Sequence, residues 1–420
     1  AVAAASSLTG TRFNLLVASS LVATAAIVAS GLASSGDNGA LAALLGQRPS
    51  QTATVAGPAK SPPASAESAG ASTSAESAPA VPSEPLASAE PSAVPSKPPP
   101  AKQPAPPTES LPEAGRIKHV FVISLASSGY DAAFGATEQM PYLAGTLRPE
   151  GELLSGYALL DDAALPNQIA AISGQPPNAQ TEQNCPKFEE CLFPVETATL
   201  ADQLTAGRFK WRGYMEGMVD ETGKPDTCVQ PDPAGAEEPP LGGYATRNNP
   251  FVYFHSLLDL GDCALNDVSL DQLDADLSKL DSTPNYALIS PNLCNAGVTG
   301  QCPEGAPSGA ASADAFLSQW VPKILASPAY EKDGLLIIAF GELNPPDPTS
   351  ATPAPAGPPK VGALLVSRFV SPGATDPAAY DPYSLLRTIE DLFGLDHLGL
   401  ADGAKVKSLA PGLLGETRGD

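Results

Sequence analysis

The sequence predicts an α/β fold, with a largely parallel β-sheet covered by helices on both faces. Continuous apolar runs such as His119–Leu125 are typical of strands buried on both faces. Segments with apolar side chains at helical spacing alternate with these runs, and this alternation indicates a parallel sheet. Low-complexity composition ends near Arg116, and the roughly 300 residues that follow suit one large domain over residues 116–420.

An uncharged, mostly apolar run occupies residues 13–33. About 20 such residues cross a bilayer as a helix. Arg12 precedes the run, so residues 1–12 are expected to stay cytoplasmic. The run predicts a single-pass anchor in the cell membrane, with the remaining chain outside the cytoplasm. The alternatives are a cleaved signal peptide, which would make the protein secreted, and a buried soluble helix.

Proline, alanine and serine dominate residues 34–115, with few large aliphatic residues. Such composition buries too little apolar surface to offset the entropy of ordering, so it predicts a disordered, extended linker. The whole chain carries a formal net charge of −23 and no block of Lys or Arg. A nucleic-acid partner is therefore excluded, because nothing neutralises its phosphates.

Within residues 116–420, the apolar patterns define strands, helices and one shared edge of the sheet. The predicted strands are His119–Leu125, Lys210–Met215, Tyr286–Ser290, Leu335–Phe340 and Val361–Ser367. The predicted helices are Thr199–Ala206, Ala315–Ser327 and Tyr383–Leu395. Ligands of such folds bind at the carboxyl ends of the strands. Those ends should bring together Ala126–Asp131, Pro291–Cys294 and Gly341–Asn344.

All six cysteines lie between Cys185 and Cys302, at spacings that suit disulfides. Close pairs predict Cys185–Cys191 and Cys294–Cys302, which leaves Cys228–Cys263. Zinc is the competing explanation, but the chain has no Cys-x-x-Cys pair and only 3 His. Three disulfides would place the domain in an oxidising compartment.

Several segments carry a family resemblance by their order and spacing. They are residues 116–123, 165–174, 248–254, 291–295, 320–328 and, as the best match, 383–395 (Tyr-Ser-Leu-Leu-Arg-Thr-Ile-Glu-Asp-Leu-Phe-Gly-Leu). Together they resemble the bacterial phosphoesterases that include acid phosphatases and phospholipases C. The resemblance implies an alkaline-phosphatase-like, three-layer α/β/α sandwich.

The resemblance also implies a divalent metal held by oxygen ligands, a Ser or Thr nucleophile, and His donors. The nucleophile position is occupied by Ala164 here. Other positions where the family has polar site residues have also changed. They are Ala126, Ser127, Asp162, Ala296, Val298, Gly341 and Pro382. The family's Lys-His-Asn-Pro becomes Arg247-Asn248-Asn249-Pro250.

The polar residues that remain predict a degenerate pocket. They are Asp131, Asn167, Asn292, Glu342 and Asp381. Glu342 is the one expected surviving metal ligand, while Asn167 and Asn292 are expected to satisfy backbone groups in tight turns. The predicted protein has no catalytic residues, metal or other cofactor.

Two functions follow from these substitutions. The first is a non-catalytic, membrane-anchored module whose partner is an envelope component or a sister protein. The alternative is an active phosphoesterase in which acids such as Asp131, Asp162, Glu342 and Asp381 hold a divalent metal in a rebuilt site. The alternative requires those acids to converge on one coordination sphere.

Overall fold

A computed structural model of the chain describes residues 116–135, 139–232, 239–344, 358–409 and 411–414. The predicted anchor at residues 13–33 and the predicted linker at 34–115 lie outside these residues. Within the described ranges, no helix combines the length and apolarity that crossing a bilayer requires.

One mixed sheet organises the described domain. Its strands are β1 (His119–Ser127), β2 (Glu152–Leu154), β3 (Trp211–Met215), β4 (Asp267–Ser269), β5 (Tyr286–Ser290), β6 (Gly334–Leu343), β7 (Ala363–Val366) and β8 (Thr375–Asp376). They are ordered β4-β3-β5-β1-β6-β7-β2-β8. The neighbours from β4 to β6 pair in parallel, which confirms the largely parallel sheet.

Strand β7 departs from the parallel pattern, because it pairs antiparallel with both β6 and β2. A parallel return needs a crossover connection, usually a helix, whereas an antiparallel return does not. The connection from β6 to β7 is rich in proline, which forms helix interiors poorly. The composition of this connection therefore favours the antiparallel return.

Helices cover both faces of the sheet. They are α1 (Tyr130–Phe134), α2 (Ala164–Ser173), α3 (Leu200–Ala206), α4 (His255–Leu258), α5 (Asp262–Asn266), α6 (Leu273–Leu277), α7 (Leu293–Ala296), α8 (Ala310–Leu325), α9 (Pro328–Asp333) and α10 (Pro382–Phe393). On β1, the side chain of Ser124 contacts α2, whereas Phe121 contacts a ring of α9. Adjacent strand positions point to opposite faces, so odd and even residues of β1 meet different helices.

The predicted helices are confirmed, and their ends follow from local sequence. In α3, Thr199 and Asp202 form a capping box. In α10, the side chain of Asp381 accepts the Ser384 N–H at 3.0 Å, and Pro382 occupies the first turn. Gly394 then ends α10 in the left-handed conformation.

All three predicted disulfides are present: Cys185–Cys191, Cys228–Cys263 and Cys294–Cys302. His119 lies buried at the start of β1 and contacts the Asp333 carboxylate at 2.5 Å. The core is continuous along β1, all nine residues of which are buried. Because β1 is central and buried, its carboxyl end at Ser127 marks the edge of the sheet where a ligand site would lie.

Candidate functional site

The predicted edge of the sheet is formed by the carboxyl ends of β1, β3, β5 and β6 with the amino end of α2, and we call it the mouth. Ala126 on β1 pairs with Glu342 on β6, after a register shift that leaves Gly341 as an extra residue. Such bulges are common next to active sites because they redirect side chains. The segments predicted to meet at this edge do meet there.

Ala164, at the position where the resemblance implies a nucleophile, is the first residue of α2 and is fully buried. A methyl group supplies neither a nucleophile nor a proton. The amino end of α2 also offers few donors to an anion. The Leu165 N–H is taken by the Asn184 side chain at 3.0 Å, and Pro166 has no N–H. The first turn of α2 therefore offers fewer free N–H groups to an anion than a helix amino end usually does.

Asn184 holds the amino end of α2 from a left-handed conformation, with φ of 52°. We expect Asn184→Ala to lower the free energy of unfolding by about 1–2 kcal/mol, because it removes a helix-capping acceptor and a residue type that tolerates this conformation. Thermal unfolding measures the change. Asn184→Asp is the matched control, because it keeps the acceptor. Equal losses in both variants would contradict a capping role.

Ala126 and Val298, two of the positions where the resemblance implies polar site residues, are apolar and buried. Ala126, Ala245, Leu293 and Val298 form a buried cluster separate from the main core. Ala296 beside them is 1% exposed. Hard divalent cations need several oxygen ligands. This cluster supplies methyl and methylene groups instead.

The surviving acid, Glu342, lies beside Arg247 in the mouth. The Arg247 Nε atom lies 3.7 Å from the Glu342 Oε1 atom, and the two side chains are only 10% and 13% exposed. The guanidinium group therefore supplies the positive charge that a bound metal would otherwise bring to this carboxylate. The sequence marked position 247 as changed but did not identify this pairing.

At Gly341, a position where the resemblance implies a polar site residue, any side chain would meet buried polar groups. A Cβ atom at this position would lie 2.6 Å from the Gln168 Nε2 atom and 2.8 Å from the Ser124 Oγ atom. Gln168 itself donates a hydrogen bond to Ser124 at 2.7 Å. Restoring an acid here would require this buried pair to move.

Two amides join the segments around the mouth. Asn167 bonds backbone groups, but from within α2 and not from the predicted tight turn: its Oδ1 accepts the Leu160 N–H at 2.8 Å. Its Nδ2 group donates to the carbonyls of Asp161, Ala163 and Gly341 at 2.8, 2.7 and 3.1 Å. It thereby ties the start of α2 to the end of β6.

Asn344 has the corresponding role on the other side and was not predicted individually. Its Nδ2 group donates to the Gly297 carbonyl at 2.8 Å and the Ser128 hydroxyl at 3.1 Å. Its Oδ1 accepts the Thr299 N–H at 3.1 Å. The Asn344 amide thus uses both its oxygen and its N–H groups in hydrogen bonds to neighbouring segments of the mouth.

Asn292 caps α7, because its side chain accepts the Asn295 N–H at 2.9 Å. Its neighbour Glu216, which directly follows β3, was not predicted as a site residue. The Glu216 carboxylate accepts hydrogen bonds from the Asn292 N–H at 3.0 Å and the Asn295 amide at 2.8 Å. Burial raises the pKa of Glu216 above its usual value, although both hydrogen bonds oppose the shift. Its position at the end of a parallel strand was the available signal.

The other predicted site residues have structural roles or are solvent-exposed. Asp131 is exposed in the first turn of α1, and Asp162 is exposed before α2. Asp381 caps α10, Pro382 begins that helix, and the Ser127 hydroxyl accepts the Gly129 N–H at 3.0 Å. The two histidines other than His119 also have carboxylate partners: His255 pairs with Asp259, and His397 with Asp391.

The rebuilt metal site predicted as the alternative requires converging acids. Among the described residues, no three of Asp131, Asp162, Glu342 and Asp381 belong to a group whose ligand atoms lie within 4.8 Å of one another. The group of this kind that the described ranges do contain is Cys228, Cys263 and Asp267. The residues of the mouth therefore do not fit the divalent metal that the resemblance implied.

Comparisons with known proteins agree with the resemblance. The family model described as the phosphoesterase family matches residues 117–396. A curated probable acid phosphatase from Kluyveromyces lactis is 23% identical over 294 residues, which are 69% of this chain and 62% of the relative. The chain thus spans less than two thirds of that relative's length.

Solved structures show a more distant similarity. A protein of the alkaline phosphatase superfamily from Vibrio parahaemolyticus is 14% identical, with a TM-score of 0.44 and 68% of each chain covered. The structure of Ps i-CgsB is 12% identical, with a TM-score of 0.46, and 72% of this chain and 77% of that one are covered.

Proposed function

Because the chain belongs to the phosphoesterase family, we propose that its folded domain is a member that has lost catalysis and acts as a binding or structural module. One observation carries the proposal: the family's nucleophile position is the buried Ala164. Covalent catalysis has no substitute for a missing nucleophile, so its loss costs many orders of magnitude in rate.

The residues around the place where the resemblance implies a metal support the same proposal. The apolar cluster of Ala126, Ala245, Leu293 and Val298 cannot ligate a hard cation. Arg247 next to Glu342 adds a fixed positive charge, which would repel a divalent cation at that carboxylate.

The proposed location of the module is the outer face of the cell membrane. Three disulfides suit an oxidising compartment. The apolar run at residues 13–33 would anchor the chain, and the proline-rich residues 34–115 would act as a spacer. The proposed partner is an envelope component or a sister protein of the same family.

The competing proposal is an active phosphoesterase, which family membership and similarity to a probable acid phosphatase favour. The two are separated by hydrolysis of an aryl phosphate by the oxidised full-length chain, with magnesium, manganese, calcium or zinc added in turn. We expect no turnover above buffer from the natural protein. Ala164→Ser should remain equally inactive, because a restored hydroxyl still lacks a metal to activate it.

Elemental analysis of the same oxidised protein should find no stoichiometric metal. A characterised acid phosphatase assayed in parallel shows that the substrate and buffers are competent. Saturable turnover by the natural protein that falls in Glu342→Gln would establish a rebuilt active site and overturn the non-catalytic proposal.

A further inference from the structure

A second group of metal-ligating side chains lies away from the mouth, at the edge strand β4. The ligand atoms of Cys228, Cys263 and Asp267 all lie within 4.8 Å of one another. In a tetrahedral zinc site with metal–sulfur distances near 2.3 Å, ligand atoms are separated by roughly 3.5–3.8 Å. The three side chains already converge closely enough for such a site, although the two sulfurs are joined in a disulfide.

Backbone hydrogen bonds hold the three residues together independently of the disulfide. The Asp267 N–H donates to the Cys263 carbonyl and closes the last turn of α5. The Cys228 N–H donates to the Asp267 carbonyl at 3.0 Å. Thr227 and Val268 form a β-bridge beside these contacts. Breaking the sulfur–sulfur bond would therefore leave the three side chains near one another.

The Asp267 carboxylate has a ligand position to spare. Its Oδ2 atom accepts a hydrogen bond from the Asn249 amide at 2.7 Å. Its Oδ1 atom is buried without a hydrogen-bond partner, and the residue is fully shielded from solvent. A buried polar atom in this state is costly and rare. The Oδ2 atom lies 4.0 Å from the Cys263 Sγ atom, so this oxygen is the one placed to bind a cation beside the sulfurs. Such a cation would also neutralise the charge of a carboxylate whose other oxygen is poorly compensated.

Hydrogen bonds from neighbouring residues hold the Asp267 carboxylate in place, as the hydrogen-bond partners of metal ligands do in metal sites. The second N–H of the Asn249 amide donates to the Tyr244 hydroxyl at 2.8 Å. That hydroxyl donates in turn to the Val229 carbonyl at 2.9 Å. Partners that fix a ligand in this way typically contribute 10–100-fold to metal affinity.

We propose that Cys228, Cys263 and Asp267 form a redox-gated zinc site, closed as a disulfide and able to hold zinc when reduced. A dithiol reductant supplies two electrons and two protons: the sulfur–sulfur bond breaks, two thiols form, and the reductant becomes a disulfide. Zinc then displaces the thiol protons to solvent and binds two thiolates and the carboxylate. Water completes the fourth position. The two thiolates select zinc over magnesium or calcium.

The test uses the full chain, first oxidised and then reduced with a phosphine. Zinc affinity is measured by competition with a chromophoric chelator, and cobalt serves as an absorbing probe of sulfur ligation. We expect about one equivalent of zinc in the reduced protein, thiolate–cobalt absorption, and neither in the oxidised protein. Magnesium should not compete.

Asp267→Asn distinguishes zinc binding by the proposed site from zinc binding by any pair of free thiols. The variant keeps both cysteines and the acceptor for Asn249 but removes the carboxylate ligand. We expect this variant to bind zinc at least about tenfold more weakly, with an altered cobalt spectrum. Cys263→Ser should abolish thiolate–cobalt absorption from this pair. A variant with Cys294→Ser and Cys302→Ser is the matched control and should bind zinc like the natural protein.

Equal zinc affinity in Asp267→Asn and the natural protein would show adventitious binding by thiols and overturn the proposal. Absence of zinc in the reduced natural protein would overturn it as well, including when circular dichroism shows that reduction has unfolded the chain. These outcomes are independent of the mouth, because the assay of the non-catalytic function uses the oxidised protein.

Discussion

Arg247→Met should lower the free energy of unfolding by about 3 kcal/mol, since removing one member of a buried ion pair leaves a charge in a poorly solvated place. The Glu342 side chain is only 13% exposed, and methionine supplies no counter-charge. Thermal unfolding of the oxidised protein measures the change, and we expect the midpoint to fall by about 5–10 °C.

The double variant Arg247→Met/Glu342→Gln tests the cause of that loss. Replacing both members of a buried pair is often nearly neutral, so most of the stability should return. Lys187→Met removes the cation of an exposed pair, Lys187–Glu190, whose atoms lie closer together, at 2.9 Å. It should cost less than about 1 kcal/mol. If both single variants lose the same stability, burial of the Arg247 pair does not matter.

The ion pair bears on function as well as stability. In a metal-dependent site the charge of a carboxylate ligand is offset by a removable metal, whereas under the non-catalytic proposal the charge of Glu342 is offset by the covalently attached guanidinium of Arg247. A domain built in this way keeps the architecture around its mouth without depending on metal supply. That consequence suits a module selected for its shape or surface.

Much of this architecture is predictable from sequence, because its central elements carry strong local patterns. The apolar run of β1 and the periodic apolar face of α10 each identify their element without tertiary information. Close spacing predicts the Cys185–Cys191 and Cys294–Cys302 disulfides, which leaves Cys228 and Cys263 to pair. The proposed loss of the nucleophile depends on Ala164 within the segment that resembles the family. Apart from Cys228–Cys263, each of these features depends on residues close together in the chain.

The features that were missed depend on distant residues or on very short elements. Strands β2, β4 and β8 have only two or three residues, too few to show a period. Arg247 and Glu342 are far apart in sequence, and they meet because the fold places the turn that contains Arg247 against the end of β6. The same holds for Asn344 and Gly297. Sequence can show that a site residue has been lost, but what replaces its interactions is decided by packing.

A second large effect on stability is expected from Glu390, which lies in the last turn of α10 and is fully shielded from solvent. One of its oxygens, Oε1, accepts the Leu398 N–H at 2.8 Å. Burial raises the pKa of Glu390 to about 7, with a smaller contribution from Asp391, while the Leu398 N–H, His397 and Arg387 oppose the shift.

The sign of the resulting pH dependence follows from proton binding. Below about pH 4.5 the carboxyl is protonated in both folded and unfolded chains, so it adds no pH dependence. Between about pH 4.5 and 7 the unfolded chain releases the proton that the folded chain keeps, and stability falls as pH rises. Above the folded pKa the loss is complete.

Glu390→Gln should therefore raise the unfolding midpoint at pH 8 and leave it unchanged near pH 4, because glutamine is neutral and keeps the acceptor for Leu398. The expected gain at pH 8 is about 1–3 kcal/mol, allowing for screening by the neighbouring charges. Thermal unfolding across this pH range measures the difference between variant and natural protein, which cancels the titration of groups that the substitution leaves alone. Glu331→Gln, an exposed change on α9, is the matched control and should show no such trend. If the gain of Glu390→Gln is the same at both pH values, it comes from packing, and the carboxyl is not the group whose ionisation opposes folding.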